Sequence, residues 1–479
     1  MQKRACIAAG RRSAMMTLAS LAGIAVGGVP GFTATRAKEA KVAKQGRRKI
    51  TQLIGSNGWP LSPKDVSVWQ AMGLTWGRDS VGPGVLPPPS DDEVEVDKTG
   101  TGFAFDLPAI IARNNRNGIN SLLLLAYTPV WNASRTGDDK SAPKDVRYWE
   151  RYVEAVVRKY SAPPYHLKYF QIWNEAAGPL TGGAPQATFW HGPNFDGDRH
   201  SGPYARAMQD YVDRIHIPAA QIIRKYDAYV VYGGWPDQGG LSHYFEWLEY
   251  RSSVHGARML DWIDYLDIHY LGIPQMDALY QRYVANGDAR GIWQTEIGDR
   301  YMEDPHFLPT YLFELAVWAL GRNWNEDNKY VTMVYHWDGF EPFRLTHRGP
   351  PRTYNASGSS LIVLHRTVSG ALSPCRISFR SDSDSHVRAL CSDDAIVLQV
   401  TAAPGWRTVY LDDLPAVGSS RFRIALIDAI TGTRSPKESL VSGWERNALS
   451  IRFMVPESTN GPPDEAPRHL AYLVLTPVA

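Results

Sequence analysis

The chain has 479 residues, 44% of them hydrophobic, with 51 lysines and arginines against 49 aspartates and glutamates. That length suits one large domain and a small one, and the composition excludes a disordered chain. Residues 1–37 hold five of the basic residues (Lys3, Arg4, Arg11, Arg12, Arg36) and no acidic one, so without them 46 basic residues face 49 acidic ones, a balance of −3. No basic excess is left to neutralise phosphates, which argues against a nucleic-acid partner.

The N-terminus reads as an address. After the basic opening, residues 13–29 form an apolar run rich in Ala, Gly and Met, followed by Pro30, Gly31 and a small-residue exit ending Thr35-Arg36-Ala37. These are the parts of an export signal. Arg11-Arg12 ahead of the run is similar to the bacterial twin-arginine signal. A retained anchor is the alternative, disfavoured because the run is glycine-rich and weakly hydrophobic. The expectation is a periplasmic or secreted protein, with residues 1–37 as the signal, 38–49 as a linker, and no membrane association once the signal is removed. Cys6 would leave with the signal, so Cys375 and Cys391 remain. In an oxidising compartment they can close a disulfide worth roughly 3 kcal/mol, or they can stay as two separate buried thiols.

Strand signals recur at 50–55, 73–78, 121–127, 169–173, 229–233, 266–270, 291–296 and 331–337. Most are short apolar runs, as expected for strands covered on both faces. Helical patterns lie between them. In 145–160, Val146, Trp149, Val153, Val156 and Val157 fall at helical spacing, and 204–226 and 307–320 read the same way. Strand–helix alternation repeated eight times predicts a (β/α)8 TIM barrel over 50–370, closed by a last helix at 359–369. An open doubly wound sheet would need a glycine-rich phosphate turn after the first strand, and Gly55-Ser56-Asn57-Gly58 does not fit one. From Pro374 the texture becomes all-β: 376–380, 387–391, 395–401, 408–411, 422–428, 448–455 and 470–475 are strands between turns. They predict a C-terminal β-sandwich over 371–479.

In such a barrel functional residues gather at the C-terminal ends of the strands. The fourth strand ends Ile172-Trp173-Asn174-Glu175 and the seventh Trp293-Gln294-Thr295-Glu296. Two carboxylates thus reach one rim from different sides. Glycoside hydrolysis needs such a pair, one protonated to release the leaving oxygen and one ionised opposite the sugar carbon.

On these motifs the sequence resembles a clan A retaining glycoside hydrolase across the whole barrel. Trp173-Asn174-Glu175, a fifth strand reading Tyr-Gly-Gly-Trp-Pro and the sandwich tail make it most similar to family 39, with families 5 and 30 as close competitors. The resemblance implies Glu175 as acid/base, Asn174 as a partner of the sugar 2-hydroxyl and, through Thr295-Glu296-Ile297-Gly298, Glu296 as nucleophile. It also implies Trp337 as an aromatic floor and Arg78 as the arginine that steadies the nucleophile. The sixth strand departs from the pattern. It reads Asp267-Ile268-His269-Tyr270-Leu271 where the clan shows His-x-Tyr. Alternation places His269 and Leu271 on one face and Tyr270 on the other. His269 carries over directly and Tyr270 less so, with Tyr232 or His336 as other groups able to hold the nucleophile.

Trp59, Trp131 and Trp235 fall just past strand ends, and Trp173 flanks the first carboxylate; their faces can stack on pyranose rings or pack loops to the barrel. Residues 189–195 follow the fourth strand and are expected to overhang the cleft. Asp196, Asp198 and His200 are spaced loosely like a cation loop, but no full ligand set follows, so no metal or other cofactor is expected. A metal-dependent hydrolase would show several histidines at strand ends, where only His269 and His336 qualify. The expected function is an exported retaining β-glycosidase acting on oligo- or polysaccharides. The alternative is a non-catalytic carbohydrate-binding protein on the same barrel.

Overall fold

Eight parallel strands close into a barrel in chain order: β1 (Ile54–Asn57), β2 (Trp76–Val81), β3 (Asn120–Leu125), β4 (Tyr169–Ile172), β5 (Tyr229–Val231), β6 (Tyr265–His269), β7 (Gly291–Ile297) and β8 (Thr332–Tyr335). The structure, a computed structural model, describes residues 48–82, 94, 96–97, 105–176, 189–192, 204–236, 241–298, 305–322, 324, 332–335, 344–347, 353–375, 377–412, 414, 422–445, 448–457 and 468–478, with the main chain alone for 204–207 and 332–335. The expected export segment, 1–37, lies outside them, as do Trp337, His336, Asp196, Asp198 and His200. No helix among the described residues is long and apolar enough to cross a membrane.

The predicted strands are all present, with shifted ends. Residues 50–53 form a 3-10 helix, whose buried Ile50 and Leu53, three residues apart, share one face. β2 starts later than expected because Gly73, at φ +74°, makes the turn that leaves the preceding helix. β4 and β5 stop early, at residues that turn the chain into the site. Among the helices, α3 (Val146–Ser161) matches its prediction, with Asp145 as N-cap, and buries Trp149, Tyr152, Val153, Val156, Val157 and Tyr160. The run expected over 204–226 is α4 (Tyr204–Tyr211) and α5 (Ile217–Lys225) joined by a π turn, Val212–His216. Pro218 cannot donate the hydrogen bond an unbroken α-helix requires there. The sequence pattern had not marked α1 (Pro63–Ala71), α2 (Leu107–Arg116), α6 (Leu241–Glu249) and α7 (Ile273–Leu279), which are seven to ten residues long and too short for periodicity to declare them. α8 (Phe307–Leu320) and α9 (Ala356–Thr367) complete the layer.

The C-terminal strands pair as two antiparallel sheets. One has the order β10 (Ser378–Ser381), β13 (Gly405–Asp412), β16 (Ala448–Val455), β15 (Leu440–Glu445); the other β14 (Phe422–Asp428), β17 (His469–Pro477), β12 (Ile396–Ala402), β11 (Ser385–Ser392), β9 (Leu372–Ser373). β15 escaped the sequence reading because it is an exposed edge with no buried face to create an alternation. In the second sheet alternate residues serve two cores. Ile396, Leu398, Val400, Leu473 and Leu475 face the first sheet. Val397, Leu470 and Tyr472 join the barrel's core. Tyr472 stacks on Phe313 of α8, and the Gln399 amide donates to the Pro309 carbonyl at 3.0 Å. This sheet therefore buttresses the barrel. Cys375 and Cys391 are joined by a disulfide with Cα atoms 4.9 Å apart.

Asp428, at the end of β14, accepts from the amides of Ile430 (2.9 Å) and Thr431 (2.7 Å), and pairs with His469 Nε2 on β17 at 3.0 Å. Burial opposes its charge, but the His469 bond and the two amides outweigh burial and hold the carboxyl well below the usual carboxylate range. A depressed pKa contributes stability that is present above the unfolded value of about 4 and lost as pH falls through the folded one. Asp428→Asn is therefore expected to cost about 1–2 kcal/mol at pH 7 and progressively less below about pH 4. Thermal unfolding of both proteins at pH 7 and pH 3 checks this, and an undiminished gap at pH 3 would exclude the ionised carboxylate as its source.

Candidate active site

Strand residues alternate into and out of the barrel, so each inward position is followed two residues later by another one layer higher. The lower layer is aromatic. Trp76, Tyr169, Tyr229, Tyr265 and Trp293 meet with ring centroids 5.1–5.9 Å apart. Gly55 makes room for them, since a Cβ there would fall 2.7 Å from that of Trp76. One layer up the same strands present Asn57, Arg78, Gln171, Asp267 and Thr295, the last four buried.

Buried polar groups must find partners, and here they find one another. Asp267 accepts from the Thr295 amide (2.9 Å), the Thr295 hydroxyl (2.6 Å) and the Gln171 side chain (2.6 Å). The Gln171 carbonyl oxygen accepts from Arg78 Nε at 2.6 Å. Arg78 Nη1 donates to Asn57 (2.7 Å) and to Glu296 Oε1 (2.8 Å), and Nη2 donates to Asn174 Oδ1 at 2.6 Å. One planar guanidinium thus holds residues from β1, β4 and β7 in fixed relation. The Arg78 and Glu296 side chains are 4% and 11% exposed, so each charge depends on the other.

Regular alternation from Trp293 and Thr295 would turn Glu296 outward. Instead β7 carries an extra residue against both neighbours: Asp267↔Trp293 is followed by His269↔Glu296, and Gln294↔Met333 by Ile297↔Tyr335. Such a bulge re-aims the side chains beyond it, so Thr295 and Glu296 both serve the interior. Glu175 arrives by a different device. Trp173 and Glu175 have φ +64° and +43°, a left-handed conformation costly for residues with side chains. Packing over-determines the turn. Trp173 is fully buried against Tyr127, Trp149 and Trp190, its indole N–H donates to the Phe189 carbonyl at 2.5 Å, and the Glu175 amide donates to Gly233 at 2.6 Å.

His269, fully buried, lies between the carboxylates. Its Nδ1 is 2.7 Å from Glu175 Oε1 and 3.6 Å from Glu296 Oε2, and its Nε2 is 2.9 Å from the Thr295 hydroxyl. That hydroxyl spends its proton on Asp267, so it accepts from His269 and Nε2 carries a hydrogen. Burial disfavours the imidazolium, but the charge of Glu296, the nearby Asp267 carboxylate and the bond to Glu175 outweigh it and push His269 up to about 10. One oxygen of each glutamate and a nitrogen of His269 lie within 4.8 Å of one another, the one grouping among the described residues with the reach of a metal site. Two of these atoms already bond each other and Glu296 already holds Arg78. The donor set is spent on acid–base contacts, and the guanidinium would repel a cation.

Of the residues expected to meet substrate, Arg78, Asn174 and His269 join Glu175 and Glu296 in this cluster. Trp173 and Trp235 do not offer a face to it: both are fully buried, Trp235 stacked on Tyr244 of α6. Trp59 is 6% exposed and lies over Gly77, where an added Cβ would come within 2.9 Å of its Nε1. These three tryptophans pack loops to the barrel, as apolar area lost from water favours. Tyr270, half-buried at φ +56°, donates its amide to the Glu296 carbonyl at 2.9 Å. Tyr232 turns its ring outward to Tyr244 and His216, away from the carboxylates. The group the sequence reading missed is Tyr127, just past β3, whose ring stacks with Phe189 and lies 3.8 Å below the Lys140 ammonium. Burial raises the pKa of its hydroxyl, and the charges of Glu296 and Glu175 add to this against Arg78. Asn57, Gln171, Asp267 and Thr295 were also missed, although each sits two residues beyond an inward aromatic or glycine. That spacing is the signal that could have found them.

No protein-family model matches the chain, and no curated protein matches its sequence significantly. Solved structures do match its fold. A family 39 glycoside hydrolase from the gut symbiont Bacteroides cellulosilyticus WH2 aligns with a TM-score of 0.55 at 13% identity, over 89% of this chain and 81% of that one. A family 30 endoxylanase from Clostridium papyrosolvens aligns at 0.53 and 12%, over 91% and 98%. A family 30 subfamily 8 xylanase from Clostridium acetobutylicum aligns at 0.53 and 11%, over 90% and 98%. The barrel and its sandwich are thus the fold of these glycoside hydrolases, as the sequence motifs implied.

Proposed function

We propose that the protein is an exported retaining β-glycosidase that cleaves O-glycosidic bonds of oligo- or polysaccharides through a covalent glycosyl-enzyme. The observation that carries this reading is that one carboxylate oxygen of Glu175 lies within 4.8 Å of one of Glu296. Carboxyl groups about 5 Å apart suit double displacement, while inverting pairs stand roughly 6.5–9.5 Å apart to admit a water between them. A non-catalytic binding protein has no need to bury two carboxylates so close together. Export is supported by residues 1–37 and by a disulfide that suits an oxidising compartment.

In the first step Glu296, paired with Arg78 at 2.8 Å, attacks the anomeric carbon while Glu175 gives its proton to the departing oxygen. The C–O bond to the aglycone breaks, an ester to Glu296 forms, and the aglycone leaves with the proton. In the second step Glu175, now ionised, takes a proton from water, which attacks the same carbon and releases Glu296. The site's negative charge therefore moves from Glu296 to Glu175 and back. His269, within 3.6 Å of both, offers its N–H to whichever carboxylate is charged. Asn174, locked on Arg78, is assigned to the sugar 2-hydroxyl.

Two of the structurally similar proteins are named as xylanases, so β-xylosides and xylan are the first substrates to try, with bacterial exopolysaccharides next. The test is a panel of aryl β-glycosides and polysaccharides with product anomers followed by NMR. The β-anomer is expected to appear first. An initial α-anomer would mean inversion, and no turnover of any sugar would overturn the enzymatic reading.

A further inference from the structure

Strand β5 brings no reacting side chain to the cluster, yet the two glycines after it touch both halves of the acid/base apparatus. The Gly233 carbonyl accepts the Glu175 amide, and a Cβ at 233 would overlap the Ile172 carbonyl oxygen and fall 2.8 Å from that of Trp173. Gly234, at φ +80°, lies against the imidazole of His269. A Cβ there would overlap Nε2 and Cε1 and come within 2.6 Å of Cδ2. His269 has nowhere to retreat. It is fully buried, Nδ1 and Nε2 are engaged at 2.7 and 2.9 Å, and its amide is tied to the Trp235 carbonyl at 2.7 Å.

We propose that Gly234 is a positioning residue for the acid/base: the bare backbone at this position lets the His269 ring lie with Nδ1 against Glu175 and Nε2 against Thr295. The β5 turn acts as a spacer. Gly233 sets the height of the Glu175 main chain, and Gly234 sets the plane of the imidazole that meets its carboxylate. The term acid/base rests on the function proposed above, but the contact itself does not, and the two can fail separately.

The test compares the full chain with Gly234→Ala, His269→Ala and the double variant, using thermal unfolding, ring-nitrogen NMR of ¹⁵N-histidine-labelled protein and kcat/KM on the best aryl glycoside. Gly118→Ala is the control, because φ there is +70° and a Cβ would meet nothing within 4 Å. It carries the same left-handed strain without the overlap. Gly234→Ala is expected to shift the His269 Nδ1 resonance and to lower kcat/KM on the order of 10²-fold, the range of a mispositioned acid–base group. With His269→Ala the added methyl has space, so the same substitution is expected to lower Tm no more than Gly118→Ala does and to change kcat/KM little further, the non-additivity of residues in contact. Equal losses in both backgrounds would assign the effect to backbone strain and overturn the proposal. So would an unmoved His269 resonance. If the wild type hydrolyses no glycoside, the NMR and unfolding arms still decide the contact.

Discussion

Glu296→Ala is expected to lower kcat/KM by on the order of 10⁵, the scale seen when a covalent nucleophile is removed and the rest of the site is kept. That corresponds to about 7 kcal/mol of transition-state stabilisation. The loss is large because no neighbour can substitute. The side chains nearest the vacancy are Arg78, a cation, and His269, whose Nε2 is committed to Thr295. The deletion also leaves the guanidinium, 4% exposed, without its counter-charge. A small anion should therefore be drawn into the space. Added azide is expected to restore turnover and to yield the α-glycosyl azide from a β-glycoside, since it attacks from the nucleophile's face. The comparison is initial rates with and without azide, and product configuration by NMR. A variant that keeps wild-type turnover would remove Glu296 from the chemistry, and a β-azide would place it on the wrong face.

Glu175→Ala should behave differently, and the difference separates the two carboxylates. General acid catalysis contributes about 10²–10⁴-fold, and it matters least when the leaving group departs without a proton. Formation of the glycosyl-enzyme is thus expected to slow by about 10⁴-fold for an alkyl or sugar aglycone and far less for a dinitrophenyl one. Hydrolysis of the intermediate still lacks its base, so the activated substrate should show a burst followed by slow release. Azide, an anion that needs no base, should accelerate that release and give the β-azide. Single-turnover and steady-state rates across a leaving-group series measure this. Equal slowing across the series would mean that Glu175 is not the proton donor. With Glu175 gone, His269 keeps its bond to Thr295 and its ion pairing with Asp267 at 3.6 Å, so the variant is expected to remain folded.

Much of this site was open to reading in one dimension. The fourth and seventh strand runs end in Asn174-Glu175 and Thr295-Glu296, and those positions put both carboxylates at one rim. The inward alternation Trp76-x-Arg78, Tyr169-x-Gln171, Tyr265-x-Asp267-x-His269 and Trp293-x-Thr295 is also written in the sequence, with a layer of rings below a layer of polar groups. His269 follows from it together with the family resemblance, and Arg78 was assigned by the resemblance alone. Tyr127 did not follow, because it ends the apolar run 121–127, which has no alternation to mark an inward position, and β3 itself stops at Leu125.

The sequence by itself determined the order of strands and helices, the change to an all-β tail, and the pair of glutamates at the strand ends, because burial periodicity and chain order are local properties; the arginine that faces them came from the family resemblance. Only the tertiary structure decided which way the side chains at the rim turn. Glu296 faces inward because β7 holds one residue more than β6 and β8, a count that exists only when three strands are laid side by side. Trp59, Trp173 and Trp235 look like sugar platforms in sequence and are packing in space, because an indole at a strand end goes to whichever apolar surface covers it most completely. Gly234 is an ordinary turn residue until His269, far along the chain, is set against it. Register, cover and overlap join residues far apart in sequence, and they are settled when the barrel closes.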